Sequence, residues 1–205
     1  MKKTDVYRQV ADLHAKCLDK GFLATLGTRF LTLMYRAIDE AADSVLLIEE
    51  KDGRVLGFIS GARTTGSIYR HMLRYPFRLS VALFPVLVRP RALIRIFDIL
   101  RYGRNESHLD PSPDAELLSI AVVLDARGSG VAQALYRRLA AYFHEQGVGA
   151  FKISVGASLA AAHRFYSKMG AKPVGTQEVH SGEASVVYLH DLAARSEPIE
   201  GFVGR

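Results

Sequence analysis

Hydrophobic and polar positions in the first third of the chain follow two patterns. Apolar side chains recur at helical spacing from Phe22 to Ile38, and Thr4 to Cys17 also has the character of a helix, so two helices are predicted there. Two apolar-rich runs follow, Ser44 to Glu49 and Val55 to Ala62, on either side of Lys51-Asp52-Gly53. An Asp-Gly pair between two such runs is a hairpin signal, and the runs are therefore predicted strands.

The second half of the chain continues to alternate between the two patterns. The predicted elements are a strand over Leu117 to Val123, a helix over Val131 to Gln146 capped by Gly147, a strand over Ala150 to Val155, a helix over Leu159 to Met169 closed by Gly170, and a strand pair over Lys172 to Val179 and Ala184 to His190 around Ser181-Gly182-Glu183. This order predicts an α/β fold in which helices cover a mixed sheet.

Composition limits the class of protein. The chain has 205 residues, of which 49% are hydrophobic and 23% charged, which suits one globular domain over 1–205. Cys17 is the single cysteine, so an internal disulfide is excluded, and the first residues lack the apolar run of a signal peptide. We therefore expect a cytoplasmic protein. The tail from Ala193 to Arg205 carries no pattern that predicts a structure.

The turn between the predicted strand at Leu117 and the helix at Val131 is rich in glycine. Gly128 and Gly130 allow backbone conformations that a Cβ would hinder, and the first turn of the helix offers unpaired N–H groups to an anion. A dinucleotide fingerprint would need a small residue at Gln133, and a Walker A loop would need a lysine after Gly130. The turn therefore predicts a phosphate site of another kind, with a purely structural turn as the alternative.

The spacing R-x-x-G-x-A, formed by Arg127, Gly130 and Ala132, resembles the acetyl-CoA loop of the GNAT superfamily of N-acetyltransferases. A second motif of that family, A-x-x-F-Y with a closing glycine, is matched by Ala162, Phe165, Tyr166 and Gly170. The resemblance implies a mixed sheet of about six to seven strands, with acetyl-CoA as the acyl donor and no metal. A compact family member would often have only a short connection before the strand at Leu117, so we predict that 68–106 is a helical insertion between the third and fourth strands. The family's usual first strand is not visible in the sequence.

By the same resemblance, the strands at Leu117 and Phe151 splay apart, and the pantetheine arm of the cofactor fills the gap. The implied cofactor-binding residues are Ile120, Ala121, Val122, Val123, Arg127, Gly128, Ser129, Gly130, Val131, Ala132, Ser158 and Tyr166. One N–H near Ile120 to Val122 would face the thioester oxygen. Many family members carry an asparagine where this chain has Leu159, and Ser158 is the candidate substitute.

The resemblance also gives candidate catalytic groups. Tyr166 would donate a hydrogen bond or a proton to the departing thiolate, and the alternative is that it only packs against the sheet. Glu116 is the first candidate for the base that receives the amine's proton, and a solvated strand-end charge is the alternative. His108 is a second candidate base, because histidine titrates near neutrality, and His163 is a weaker one. Metal-ligand spacing and a G-x-S-x-G elbow are both lacking, which favours direct attack in a ternary complex.

The remaining feature is an arginine-rich, apolar segment from Tyr69 to Arg104. It contains one acidic residue, Asp98, and eight arginines: Arg70, Arg74, Arg78, Arg89, Arg91, Arg95, Arg101 and Arg104. Its longest apolar run, Leu79 to Val88, is too short to span a bilayer. Contact with an anionic membrane, binding of an acyl or lipid-linked acceptor, and binding of an acidic carrier protein remain open. So does a hairpin that packs on the domain or on a second copy in a homodimer. A nucleic-acid partner is not expected, since the segment has no recognised reading motif.

These observations predict an N-acetyltransferase that acts on the primary amine of a small or carrier-attached acceptor. The acceptor would approach between the N-terminal helices and the arginine-rich segment. Two alternatives remain at this stage. One is an N-acyltransferase that takes a longer acyl chain from acyl-CoA or an acyl carrier, and the other is a non-catalytic module that binds acyl-CoA or docks on a membrane.

Overall fold

A computed structural model describes residues 3–18, 22–87, 113, 115–179 and 183–193. The helices are α1 (Lys3–Cys17), α2 (Phe22–Thr25), α3 (Thr28–Glu40), α4 (Thr65–Met72), α5 (Pro76–Leu87), α6 (Val131–Glu145) and α7 (Ala160–Lys168). The strands are β1 (Ser44–Lys51), β2 (Arg54–Ala62), β3 (Ala115–Val122), β4 (Ala150–Gly156), β5 (Lys172–Val179) and β6 (Glu183–Asp191).

The described strands form a mixed sheet of six in the order β1-β2-β3-β4-β6-β5. Every neighbouring pair is antiparallel except β3 and β4, which run parallel at the centre of the sheet. A parallel pair needs a crossover connection, and α6 supplies it. The predicted α/β class with a mixed sheet is confirmed.

The predicted turns have the backbone that their sequences favour. Asp52 and Gly53 both have positive φ, 52° and 77°, as a tight hairpin turn between β1 and β2 requires. Gly147 and Gly170, at φ 73° and 90°, follow the ends of α6 and α7. A residue without a Cβ adopts this left-handed conformation at little cost, and it stops a helix by turning the chain away. Both glycine-terminated helices predicted from the sequence are present.

Two predictions about helices and insertions were wrong. The helix expected from Phe22 to Ile38 is split into α2 and α3, because Gly27 has a φ of 84° and interrupts the helical backbone. The insertion was expected between the third and fourth strands. It follows β2, the second strand of the described chain, because α1 comes before β1 and the described residues before it form no strand.

Helices on the two faces of the sheet enclose two apolar clusters. One cluster contains Leu31 and Tyr35 of α3 and Phe58 of β2. The other contains Leu139 of α6 and Phe151 of β4. All five of these side chains are fully buried, so both faces of the sheet are covered where they lie.

Two glycines of β2 bring α6 close to the sheet. A Cβ on Gly61 would lie 2.7 Å from Phe143 Cζ and 2.9 Å from Leu139 Cδ1. A Cβ on Gly57 would lie 3.0 Å from Val131 Cγ1, at the first residue of α6. Close contact along β2 therefore fixes where α6 begins relative to the end of β3.

The arginine-rich segment is described as far as Leu87, where it is helical. Arg70, Arg74 and Arg78 belong to this part. The remaining arginines, Asp98 and His108 lie outside the described residues, and so do residues 194–205 of the tail. In the part of the chain that the structure describes, none of the helices has the length and apolar character needed to traverse a bilayer.

Candidate active site

The central feature of the sheet is a gap between its two parallel strands. β3 and β4 pair at Ala115 with Phe151, Glu116 with Lys152, and Leu117 with Ile153, and the pairing then ends. β3 continues to Val122 alongside β2, and β4 continues to Gly156 alongside β6. Residues 118–122 and 154–156 therefore present strand edges to each other without pairing. Backbone N–H and C=O groups on such edges need partners, so the gap can accept a ligand with amide groups.

A β-bulge marks the start of the gap. Ser119 pairs with Ser60 and Leu117 with Gly61, so Leu118 is an extra residue without a counterpart in β2. A bulge bends its strand and increases the local twist. Because the bulge lies directly after the last residue pair of β3 and β4, it accounts for the separation of the two strands at that level.

The glycine-rich turn lies where β3 leads into α6. Gly128 and Gly130 have φ of 79° and 93°, and a Cβ on either would meet no atom within 4 Å, so the surface over the turn is open. The first helical hydrogen bond of α6 runs from the Ala134 N–H to the Gly130 carbonyl, at 2.9 Å. The N–H groups of Val131, Ala132 and Gln133 precede it, and Gly130 has no side chain to cap them. This arrangement is suited to an anion.

The side chains of the turn are held back against the protein. Arg127 donates from Nε to the Val122 carbonyl at 3.3 Å, and its Nη2 lies 3.6 Å from Cys17 Sγ of α1. Ser129 Oγ donates to the Ala126 carbonyl at 2.7 Å. Asp125 receives two hydrogen bonds from Arg54, at 2.8 and 3.2 Å, which fasten the turn to β2. These contacts hold the turn in place beside the main-chain N–H groups at the start of α6.

Tyr166 of α7 is buried among other aromatic rings. Its ring centroid lies 5.2 Å from that of Phe165, 6.1 Å from that of Tyr136 and 6.2 Å from that of Tyr188. Burial raises the pKa of its phenol, so the hydroxyl stays protonated at neutral pH and can act as a donor. Within the described part of the chain this hydroxyl makes no hydrogen bond, and it remains available to a ligand.

Glu116 stands two residues before the bulge and faces Lys152 of β4. Lys152 Nζ lies 3.5 Å from Glu116 Oε2, and both side chains are mostly shielded from solvent. Burial raises the pKa of Glu116, and the charge and hydrogen bond of Lys152 partly offset this effect. Tyr69 of α4 is close enough that the negative charge of Glu116, after burial, helps to raise the pKa of its phenol. Glu116 thus faces the side of the sheet that carries α4.

The sequence matches the model of the acetyltransferase (GNAT) family over residues 8–171. The chain belongs to the GNAT acetyltransferase family. The GNAT fold is shared with a solved N-acetyltransferase from Staphylococcus aureus Mu50, with a TM-score of 0.60 and 16% identity over 93% of this chain and 94% of that one.

A second solved structure, described as an acetyltransferase of the GNAT family from Desulfovibrio desulfuricans, has a TM-score of 0.58. Its sequence is 13% identical to that of this chain, and the match covers 93% of each chain. No curated protein matches the sequence. Family and fold are therefore established, whereas identities this low carry no information about the acceptor.

The structure brings together most of the site residues predicted from this resemblance. Ile120, Ala121 and Val122 lie on the β3 edge of the gap, and Val123 leads into the turn that ends at Val131 and Ala132. Ser158 is exposed in the turn after β4, next to the half-exposed Leu159. The strands splay as expected. Their contacts with a donor, and the roles of Tyr166 and Glu116, remain predictions.

His163 has a structural position in the GNAT domain. Its Nε2 donates to the Gly156 carbonyl at 3.1 Å, and its Nδ1 lies 2.9 Å from the Tyr188 hydroxyl. With Nε2 as the donor, Nδ1 accepts from Tyr188. The ring therefore holds the end of β4 to α7 and β6, which argues against a role as the base.

Sequence reasoning missed a buried hydrogen-bond chain that supports the bulge. Tyr35 of α3 has its hydroxyl 2.6 Å from His14 Nδ1 and 2.9 Å from Ser119 Oγ, and Ser119 Oγ lies 2.7 Å from Ser60 Oγ. Burial lowers the pKa of His14 to about 4, so this histidine is neutral at physiological pH. The chain links α1 and α3 to the residue next to the bulge. A lone histidine in α1 gave no sequence signal for it.

Proposed function

We propose that this GNAT protein transfers the acetyl group of acetyl-CoA to a primary amine by direct attack in a ternary complex. The observation that carries the proposal is the gap between β3 and β4, which leads to the glycine turn at the start of α6. An amide-rich arm fits between two unpaired strand edges, and a pyrophosphate fits on the main-chain N–H groups of Val131 to Gln133. Acetyl-CoA carries both groups in one molecule.

The two candidate catalytic groups approach the gap from opposite faces of the sheet. Tyr166 is packed in the cluster on the side of α6 and α7, whereas Glu116 faces Tyr69 on the side of α4. An attacking amine and a departing thiolate also lie on different sides of the carbonyl carbon. The arrangement supports a single displacement, in which Glu116 receives the proton of the amine and Tyr166 donates to the leaving thiolate.

The β3 edge supplies the remaining electrostatic requirement of acyl transfer. Main-chain N–H groups of Ile120 to Val122 that point into the gap have no strand partner there. A fixed N–H donor stabilises the charge that develops on the carbonyl oxygen, and it costs little reorganisation because the strand already holds it. The bulge at Leu118 and the hydrogen bond of Ser119 to Tyr35 keep this segment in place.

The acceptor is proposed to enter on the face that carries α4 and α5. Glu116 and Tyr69 lie on this face, and the described arginines Arg70 and Arg74 belong to the same helical segment. A small or carrier-attached primary amine would meet Glu116 before it reaches the gap. This placement depends on Glu116 being the base.

The first experiment is a calorimetric titration of the purified protein with acetyl-CoA, CoA and a long-chain acyl-CoA. Micromolar binding of acetyl-CoA without a gain from the longer chain would support the proposal. Tighter binding of the long chain would favour the longer-chain N-acyltransferase. If none of the three binds, the proposal fails.

A pair of glycine variants tests the placement of the phosphate. In Gly130→Ala and Gly147→Ala, a Cβ is added at positive φ, with no atom within 4 Å, at the start and just past the end of the same helix. Each should lose about 1 kcal/mol of stability from backbone strain. Only Gly130→Ala should also weaken acetyl-CoA binding in the titration, by tenfold or more. Equal affinities in the two variants would contradict this placement.

A further inference from the structure

Helix α5 is apolar on two faces, and only one of them is buried among the residues that the structure describes. Leu79, Ala82 and Leu83 pack against the cluster that contains Tyr35 and Phe58. On the other face, Phe77, Val81 and Phe84 are 81%, 41% and 67% exposed. Their spacing of four and three residues places them in one stripe along the helix.

The segment of the sequence that contains this stripe carries charge of one sign. The sequence contains no acidic residue between Asp52 and Asp98. Arg70 and Arg74 precede α5, and Arg78 lies within it beside Phe77. The guanidinium of Arg78 lies 5.8 Å from the ring centroid of Tyr75, whose hydroxyl donates to Glu40 of α3 at 3.1 Å. Tyr75, directly before α5, is therefore held to α3, and the guanidinium of Arg78 stays near the stripe.

A groove runs beside the stripe, between α1, α3 and α5. Its volume is about 290 Å³, and Phe77 and Val81 belong both to the groove and to the stripe. Leu33 contributes apolar surface, and Arg29 and Arg78 contribute guanidinium groups, whereas the guanidinium of Arg36 is paired with Glu40 at 2.8 Å. A groove with apolar walls and two guanidinium groups complements a ligand that carries an anionic group on an apolar body.

We propose that α5 docks this protein on the surface of an anionic phospholipid bilayer. Phe77, Val81 and Phe84 enter the interface, Arg74 and Arg78 contact lipid phosphates, and the groove receives a headgroup. Interfacial helices combine these features, an apolar stripe with adjacent basic residues. This inference does not depend on acetyl transfer.

The polar groups of α5 favour a lipid surface over an acidic protein as the partner of the stripe. Ser80, the hydroxyl residue inside α5, donates to its own helix at the Pro76 carbonyl, 2.9 Å away. The outer face is thus left with apolar side chains and guanidinium groups. Protein interfaces use directional hydrogen bonds for specificity, whereas a phosphate-covered membrane needs only charge and apolar area.

The test is co-sedimentation of the full chain with vesicles. One set contains phosphatidylcholine alone and the other contains phosphatidylcholine mixed with phosphatidylglycerol, each at low and high salt. We expect sedimentation with the phosphatidylglycerol vesicles and weaker binding at high salt. Equal binding to both sets, or none to the anionic set, would overturn the proposal.

Matched variants assign the binding to α5. The double variant Phe77→Ser with Phe84→Ser should lower partitioning at least about tenfold, whereas Val174→Ser, at a half-exposed position of β5, should not. Arg74→Gln with Arg78→Gln should lower it roughly 30-fold on anionic vesicles, since each basic residue contributes about 1 kcal/mol. Arg137→Gln, on the exposed side of α6, is the control for charge. The far-ultraviolet circular dichroism spectrum and melting temperature of each variant check that it is folded.

Two other outcomes would assign the stripe to a different partner. If sedimentation velocity shows a dimer that the Phe77→Ser and Phe84→Ser double variant abolishes, and vesicles are not bound, the stripe is an interface between two copies. If the protein binds a purified acidic acyl carrier protein but neither set of vesicles, the basic surface serves a protein partner. Either result would overturn the membrane proposal.

Discussion

At the scale of single residues, the site depends on a few side chains whose surroundings set their protonation. Tyr166 is kept neutral by burial, and Glu116 is kept from an even higher pKa by Lys152. His14 is kept neutral in the chain that reaches Ser119. In each case, burial and one or two neighbouring residues determine whether the side chain is protonated.

Tyr166→Phe removes a hydroxyl that makes no hydrogen bond among the described residues. We expect kcat to fall by about 100-fold or more, as for the loss of a positioned acid. Acetyl-CoA affinity and melting temperature should stay close to those of the wild type. Turnover is followed by the release of free CoA thiol. Tyr142→Phe, at a partly exposed position of α6, is the matched control, and turnover of Tyr166→Phe within twofold of wild type would exclude the proposed acid.

Glu116→Gln removes the proposed base. It should lower kcat/KM by about 10²- to 10⁴-fold at neutral pH, and the rise of activity with pH should disappear with it. A wild-type profile retained in this variant would assign the base elsewhere. His108, which lies outside the described residues, would then be the next candidate.

Lys152→Met should shift the pH profile of acetyl transfer. A base works in its ionised form, so kcat/KM rises with pH through the pKa of Glu116. Because Lys152 lowers that pKa, its removal should move the rising limb to higher pH. Lys51→Met in the β1-β2 turn is the control for the loss of a lysine. An unmoved limb would mean that Glu116 does not set the profile.

At the scale of elements, helix α6 is positioned by glycines that were not singled out from the sequence. Gly57 and Gly61 let the helix approach β2, and the first turn of α6 therefore begins beside the end of β3. A glycine inside a predicted strand indicates a close approach of some kind, but the sequence does not say which element approaches. The packing of α6 against these two glycines shows that α6 is the element that approaches.

Gly61→Ala should destabilise the fold. The added Cβ would lie 2.7 Å from Phe143 Cζ and 2.9 Å from Leu139 Cδ1, and both of these side chains are fully buried. Overpacking of this kind costs about 1–3 kcal/mol, which thermal unfolding would detect as a lower melting temperature. Gly149→Ala adds a Cβ with no atom within 4 Å and should leave the melting temperature nearly unchanged. Equal melting temperatures for the two variants would contradict close packing of α6 on β2.

Local patterns predicted the elements well because the residues that start and stop them act locally. Asp52-Gly53, Gly147 and Gly170 each produce the expected turn or helix end. Gly27 could have been read in the same way, but the apolar spacing continues across it and conceals the break. The motif at Arg127 to Ala132 likewise gave the turn and the helix that follows it.

The parts of the site that depend on register could not be predicted. Lys152 faces Glu116 only because β3 and β4 pair in one particular register. The bulge at Leu118 follows from the pairing of β3 with β2. Tyr35 and Ser119 are 84 residues apart in sequence, and their contact requires α3 to cross the sheet at the bulge. Periodicity within a segment contains no information about any of these three contacts.

At the scale of the whole molecule, the two faces of the sheet are proposed to serve different substrates. The face with α6 and α7 contains the glycine turn and Tyr166, and the face with α1, α3, α4 and α5 contains Glu116 and the apolar stripe of α5 with its adjacent arginines. If α5 docks on a membrane, the acceptor side of the site is directed towards the lipid surface. Amines at or near that surface would then be favoured acceptors.

The gap between β3 and β4 also divides the sheet into two halves of three strands, β1-β2-β3 and β4-β6-β5, which share three residue pairs. A donor bound in the gap would touch both halves and couple them. Amide hydrogen exchange should therefore slow on addition of acetyl-CoA, both at the gap-facing amides of residues 118–122 and 154–156 and across the pairs at Ala115 to Leu117. Protection at the glycine turn alone would contradict this coupling. With the coupling in place, the bound acyl donor would join the two halves of the sheet. The cell's supply of acetyl-CoA would then determine how strongly the unfolding of one half is coupled to that of the other.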